Sequence, residues 1–400
     1  MKKSTNVIAA VILYLLSTGV SFATFTYLNK PESAAAPTPD AGFGTLLTIA
    51  PGTPKDQECP LNGQLFTAVE KDAWTRRRPL VVMIENSPDA RPHSGIIRAD
   101  IIYEAVAEGG VTRLMPVYYC DAQRDDVAIG PVRSVRTYFL DWASEYGETP
   151  LFGHVGGANC SADPGGPCKT NKKAQAIEQL SSYGWRYSMG NDLDQFAVGA
   201  PTYQRKENRL FALLGRNVAT EHSVIGSTEG LWTEGKDRGW TNLDPDGVEW
   251  TDNFKSWKFQ DDAAESERGT TGAISFYFWE GYDDFKVDWA YNKADNIYTR
   301  STGGKPHTDL ETGKQFSGKN IVIQFAKETG PVDELKHMLY ESTGTGKMVV
   351  FQNGQVIEGT WKKPTRLSRT IFTDKTGSEI KFVKGQIWVH ILATDSPVTY

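Results

Sequence analysis

No surplus of positive charge runs through this sequence: 43 Lys and Arg face 49 Asp and Glu, a formal charge of −6. Its overall field therefore gives no reason to expect nucleic acid as a partner. Also missing are a C-x-x-C pair, an H-E-x-x-H helix, a G-x-S-x-G elbow, a Walker loop and any internal repeat. These absences remove the common signatures of zinc sites, metalloproteases, α/β-hydrolases and nucleotide-phosphate binding, so neither cofactor nor metal is expected. What is present is an apolar fraction of 39% with 11% aromatics, enough for a substantial core. With 38 Gly and 20 Pro, the composition suits strands and turns better than a helical bundle.

Lys2 and Lys3 precede an uncharged run from Val7 to Leu28, whose 22 residues reach the ~20 that a membrane-spanning helix needs. Lysines before the run favour an inside N-terminus, which puts everything after Lys30 outside the cytoplasmic membrane as a single-pass chain. The competing reading is a cleaved signal peptide, with Ile8–Leu16 as its apolar core and Ser21-Phe22-Ala23 before a cut near Ala23. Either way the remaining chain is extracytoplasmic. No cysteine follows the run closely, so a lipid-modified N-terminal cysteine is excluded.

Four cysteines fit an oxidising compartment. Cys160 and Cys168 flank Ser-Ala-Asp-Pro-Gly-Gly-Pro, a loop that brings its own ends together. A disulfide there leaves Cys59 and Cys120 as the second pair, one of three connectivities. A zinc site is the alternative, for which the spacings are wrong.

Residues 31–39 read as a Pro-rich spacer and 41–76 as an irregular lead-in. The expected fold class is α+β: a mixed α/β N-terminal domain over 77–270 and a mainly antiparallel β domain over 271–400. Strand-like Asp100–Ala107 and Val111–Tyr119 flank Glu108-Gly109-Gly110, a hairpin signal. A regular register places Glu104 opposite Met115 and Val106 opposite Arg113, so one face carries Glu104, Glu108 and Arg113. Gly130-Pro131 opens a helix with Val132, Val135, Phe139, Trp142 and Tyr146 at helical spacing. Helices are also expected over 171–183, Thr228–Asp237 and Pro331–Glu341. Nine strands follow Ala273, two of them joined by Asn353-Gly354, the preferred type I′ pair.

Arg133 and Arg136, placed in the first turn of that expected helix, would make an anion site together with free amide N–H groups and Arg113. The alternative is that a protein carboxylate, Glu104 or Glu108, supplies the anion. His154, before Gly156-Gly157, is the histidine best placed for proton transfer, with Glu104 as its acid/base partner. Eleven tryptophans raise glycan binding, although most tryptophans in a β-rich protein pack in cores.

Ordered motifs then carry a resemblance. Arg78-Pro-Leu-Val-Val-Met-Ile-Glu-Asn86, Ala99-Asp-Ile-Ile-Tyr-Glu104, Glu108-Gly-Gly-Val-Thr-Arg113 and Ile129-Gly-Pro-Val-Arg-Ser-Val-Arg136 resemble the first domain of the YerB-like family of extracytoplasmic bacterial proteins. His307-Thr-Asp309, Gly344-Thr-Gly-Lys-Met348 and Gln386-Ile-Trp388 resemble its second. The resemblance implies an envelope location and two-part organisation, and no reaction. The expected function is a membrane-anchored envelope module that binds an anionic ligand, a wall glycan or another envelope protein through Arg113, Arg133, Arg136 and Glu108. The alternative is a cell-wall hydrolase or transferase using His154 and Glu104.

Overall fold

The structure, a computed structural model, describes residues 44–160, 167–186, 190–244 and 246–400. The run Val7–Leu28 lies outside the described residues, and no described helix is long and apolar enough to cross a membrane.

Strands from both halves of the chain build one sheet of eleven strands. From one edge it runs through Asp192–Asp194, Leu151–His154, Leu80–Val82, Val111–Tyr118 and Ile101–Glu108. It continues with Ile387–Ala393, Asn320–Ala326, Gly344–Gln352, Gln355–Lys363 and Ile371–Asp374, while Ile84–Glu85 also pairs with Val111–Tyr118. The halves join where Ile387–His390 pairs in parallel with Ile101–Glu104. The strands at the join, Ile101–Glu108, Ile387–Ala393 and Asn320–Ala326, are buried along nearly their whole length. Near-continuous apolar runs of this kind need neighbours on both edges and cover on both faces. Trp361 and Trp388, 2% and 0% exposed, pack in this core as expected.

The expected α+β class holds, with short helices and mainly antiparallel pairing. Asn353 and Gly354 take φ of 52° and 65°, the doubly positive pair of a type I′ turn, between two nine-residue strands. Thr228–Asp237 is helical, capped by Ser227, whose Oγ accepts from Gly230 N.

Two expected helices form differently. The helix expected from Pro131 begins only at Thr137 and ends at Ala143. Residues 130–135 are extended because the sheet claims their backbone: Arg133 N donates to Met83 O, Val135 N to Gly156 O, and Pro131 O accepts from Glu85 N. Pro331–Glu341 is a loop ending in the strand Leu339–Tyr340. There Asp333 accepts from His337 N, and Gly109 N reaches across to Lys336 O. A side-chain acceptor within the segment and a backbone donor from outside it take groups that an i→i−4 ladder would need.

Candidate functional site

The hairpin of Ile101–Glu108 and Val111–Tyr118 decides where the expected site residues go. Its register is Glu108↔Val111, Val106↔Thr112, Ala105↔Arg113 and Glu104↔Leu114, with a shift between Val106 and Glu108. Ala107 is the extra residue of a β-bulge. One inserted residue reverses which face later side chains point to, so Glu104 and Glu108 lie on opposite faces. The expected single face with Glu104, Glu108 and Arg113 is thus corrected: Arg113 goes with Glu108, and Glu104 turns into the core.

Glu104, 1% exposed, accepts from Asn86 Nδ2 (3.0 Å) and Thr112 Oγ1 (2.9 Å). Its other oxygen lies 2.9 Å from Arg300 Nη2 and 3.1 Å from His390 Nδ1. Burial alone would push this carboxyl up, but the Arg300 charge and the His390 hydrogen bond bring it down to about 2. Arg300 is fully buried between Trp289 and Trp388, and its Nε donates to His307 Nδ1 at 3.0 Å. Every polar neighbour of Glu104 comes from a core element, so this carboxylate is closed to any substrate.

His154 is equally closed. It is 0% exposed, with Nε2 2.6 Å from Asp192 Oδ1 and Nδ1 2.8 Å from Gly156 O. Burial lowers its affinity for a proton, but the Asp192 carboxylate outweighs that and the pKa is raised. Both nitrogens are spent on the strand end and the following turn. His154 and Glu104 share no partner, and the acid/base pairing of the two is not formed.

The arginines divide. Arg113 and Arg136, 3% and 6% exposed, converge on Glu108, with Arg113 Nη2 at 2.6 Å from Oε1 and Arg136 Nη2 at 2.9 Å from Oε2. Arg136 also donates from Nη1 to Val135 O at 2.7 Å. Burial would raise the Glu108 carboxyl, yet the two guanidinium charges hold it at about 2. A protein carboxylate therefore supplies their anion. Arg136 is the residue that caps Thr137–Ala143 and Arg133 lies upstream of it, so neither sits in a first helical turn.

Arg133 differs. Its side chain is 29% exposed, and Nε sits 3.6 Å from Glu85 Oε2, beyond hydrogen-bond length. No hydrogen bond ties its guanidinium to any described residue. Glu85 Oε2 also accepts from His222 Nδ1 at 2.8 Å, while Ser87 Oγ donates to Oε1. The Glu85 hydrogen bond raises the His222 pKa against the opposing effect of partial burial. Its Nε2 makes no hydrogen bond with a described residue.

Three separate segments position this cluster. Glu85 lies in a short strand paired with Arg113, Arg133 in the extended stretch before the helix, and His222 in the turn Thr220–His222 that leads into Val224–Ser227. Counting Arg113, Arg133 and Arg136 against Glu85 and Glu108 gives a local charge of +1, or +2 with His222 protonated. Such an arrangement can hold an oxyanion between a guanidinium fork and an imidazolium. The sequence gives weight to Arg133 but none to Glu85, and Thr220-Glu-His-Ser223 around His222 resembles the family's segment only loosely. Glu85 closes the apolar run Leu80–Ile84 and His222 lies in the polar Thr220-Glu-His-Ser223, two places that sequence spacing does not connect.

The described residues offer one grouping with metal-ligand geometry, Cys59, Asp100 and Cys120, with ligand atoms within 4.8 Å of one another. It does not fit a metal, because the two sulfurs are joined as Cys59–Cys120. Asp100 is already satisfied by Tyr119 N, Cys120 N and Asn62 Nδ2. The second disulfide is Cys160–Cys168, so the expected connectivity forms.

Two models of a protein family of unknown function, DUF3048, match the chain: its N-terminal domain over residues 66–192 and its C-terminal domain over 274–389. A Bacillus subtilis protein named "Putative lipoprotein YerB" is 28% identical over 343 residues, 86% of this chain and 88% of that protein. The crystal structure of YerB protein from Bacillus subtilis aligns with a TM-score of 0.65 at 25% identity, covering 86% of this chain and 100% of that one. The resemblance read from the motifs is thereby confirmed.

Proposed function

The chain belongs to the DUF3048 family, and from that premise we propose that it is an extracytoplasmic envelope module that captures an anionic group at Arg133 and His222. The observation carrying this reading is the unequal use of the three arginines. Arg113 and Arg136 are consumed by Glu108, whereas Arg133 is partly exposed and makes no hydrogen bond with a described residue. Glu85 orients His222 through its 2.8 Å hydrogen bond and lies 3.6 Å from Arg133, so the imidazole is ordered before a ligand arrives and costs less to fix on binding. The envelope location draws support from the uncharged run Val7–Leu28, from two disulfides, and from a relative whose name calls it a lipoprotein.

The test is calorimetric titration of the full-length protein in nanodiscs with inorganic polyphosphate. Arg133→Ala weakens binding at least tenfold, the loss of roughly 1.4 kcal/mol or more that a charge-assisted contact supplies, and leaves the melting temperature in place. Equal affinity in the variant, with folding intact, removes the site.

A further inference from the structure

His222 closes the turn Thr220–His222, where a carboxylate from a distant strand meets it: Glu85 Oε2 lies 2.8 Å from Nδ1. That carboxylate is itself fixed. Ser87 Oγ donates to Oε1 at 3.2 Å, Glu85 N donates to Pro131 O at 3.0 Å, and Glu85 O accepts from His93 Nε2 at 2.6 Å. A carboxylate only accepts, so Nδ1 carries the hydrogen of the shared bond and Nε2 is the nitrogen that gains or loses a proton. Nε2 has no hydrogen-bond partner among the described residues, and the His222 side chain is 14% exposed. The contrast is His154, fully buried with both nitrogens spent. A fixed carboxylate behind an imidazole whose second nitrogen is open is the geometry of a proton-transfer dyad.

The charges around the ring favour its acid form. The Glu85 hydrogen bond stabilises the cation and Glu221 adds to it, while partial burial and the Arg133 charge oppose it. Arg133 supplies the other half of the site: its Nε is shielded from solvent without a hydrogen-bond partner, and its side chain is 29% exposed. A group touching both residues gives charged oxygens to the guanidinium and a further oxygen to the imidazole. A bare carboxylate has no oxygen that leaves. A phosphate ester does: its non-bridging oxygens suit an arginine fork, and its bridging oxygen needs a proton as the alcohol departs.

We propose that Glu85 and His222 form the acid dyad of a phosphate-ester hydrolase site, in which His222 Nε2 protonates the leaving oxygen of an ester held by Arg133. Water attacks phosphorus while the bond from phosphorus to the ester oxygen breaks, its electron pair going to that oxygen. The Nε2 proton passes to the same oxygen and the alcohol leaves. The surplus proton of the attacking water goes to solvent, and solvent reprotonates Nε2, so one ester and one water become an alcohol and inorganic phosphate. His222 is the catalytic residue, and Glu85 is a positioning residue that fixes which nitrogen transfers the proton. The proposal rests on the anion reading, because an ester that does not reach Arg133 and His222 is out of range of the proton.

The full-length protein in nanodiscs is given glycerol 2-phosphate or 4-nitrophenyl phosphate, and released inorganic phosphate is measured. Wild type hydrolyses both. The glycerol alkoxide needs a proton to leave and the nitrophenolate does not. His222→Gln therefore lowers kcat by about 100-fold or more on the glycerol ester and by less than about tenfold on the nitrophenyl ester. Because the two esters are compared on one variant, the ratio does not depend on how much of it is folded. As a second variant, Glu85→Gln makes kcat fall at a lower pH than in wild type on the same ester, a shift that a merely structural contact would not produce. Equal losses on the two esters in His222→Gln, or an unmoved pH profile in Glu85→Gln, overturn the dyad. Wild type that binds polyphosphate yet releases no phosphate from either ester also overturns it and leaves the anion reading in place. Failure of both binding and release removes the two together.

Discussion

His93 Nδ1 lies 2.8 Å from His307 Nε2, joining residues 214 positions apart at the seam between the two halves of the chain. The donors run in one direction. His93 Nε2–H donates to Glu85 O (2.6 Å), His307 Nε2–H to His93 Nδ1, and Arg300 Nε–H to His307 Nδ1 (3.0 Å). Every nitrogen is satisfied only if both rings are neutral. His390 is neutral for the same reason, facing Glu104 through Nδ1 and accepting from Trp289 Nε1 at 3.2 Å.

That chain makes the fold sensitive to acid. Burial, reinforced by nearby arginines, lowers His93 to about 3 and His307 well below its ordinary value. Burial also lowers His390 to about 4. Below pH 6.5 the unfolded state binds protons that the folded state refuses, so stability present above that pH is lost as pH falls toward 3, by up to about 1.4 kcal/mol per pH unit for each histidine. His154 and His222, raised rather than lowered, contribute fully below pH 6.5 and do not offset this loss. Urea denaturation from pH 7 to 4.5 reads it directly: the midpoint drops steeply, and a flat profile contradicts neutral rings.

Glu104 and Arg300 are the buried ion pair at the same seam, 1% and 0% exposed. Glu104→Gln leaves the guanidinium buried without a counter-charge and costs about 3–5 kcal/mol. The exposed pair Lys375–Glu358, 74% and 45% exposed, serves as the comparison, and Glu358→Gln leaves the urea midpoint unchanged. Similar effects of both substitutions would show that the seam does not depend on the pair.

The two disulfides differ in the chain they close. Cys59–Cys120 spans 61 residues and Cys160–Cys168 spans 8. Loop-closure entropy assigns about 4 kcal/mol to the first and about 2.5 to the second. Denaturation of Cys59→Ala/Cys120→Ala and Cys160→Ala/Cys168→Ala therefore gives the larger loss for the first double variant. The reverse order assigns the stabilisation to something other than the length of chain closed.

Anion capture carries its own pH dependence. His222 has a pKa raised by its hydrogen bond to Glu85, so it is cationic below that value and neutral above it. Polyphosphate affinity falls as pH rises through a midpoint above 6.5, to a residual level set by Arg133. His222→Gln abolishes the midpoint. An affinity constant from pH 6 to 9 removes His222 from the site.

Much of the scaffold was legible because local chemistry and tertiary structure agree. Asn353-Gly354 can hardly be other than a hairpin turn, and the alternating runs on either side of it extend into the strands observed. The misread first turn of the helix expected from Pro131 has its cause in backbone partners from other segments. Val132, Val135 and Phe139 have helical spacing, but Met83 O and Gly156 O take the amides of Arg133 and Val135, and the first six residues stay extended. The bulge at Ala107 has no signature beside Gly109-Gly110, yet it moved Glu104 away from Arg113 and so dissolved the expected acid/base face. Arg133 was legible as a cation without a local partner. Glu85 and His222 were not, because 137 positions separate them and only the sheet brings them together.

Anion capture requires that the ligand contact both Arg133 and His222. The most direct measurement is ring-nitrogen NMR of the full-length protein in nanodiscs at pH 6 during titration with inorganic pyrophosphate, since the chain has only six histidines. The His222 signals move with ligand while those of His93, His154, His307 and His390 stay fixed, and in Arg133→Ala the His222 shift shrinks at least tenfold at equal ligand concentration. Stationary His222 signals at saturating pyrophosphate contradict the site, however well folded the protein is.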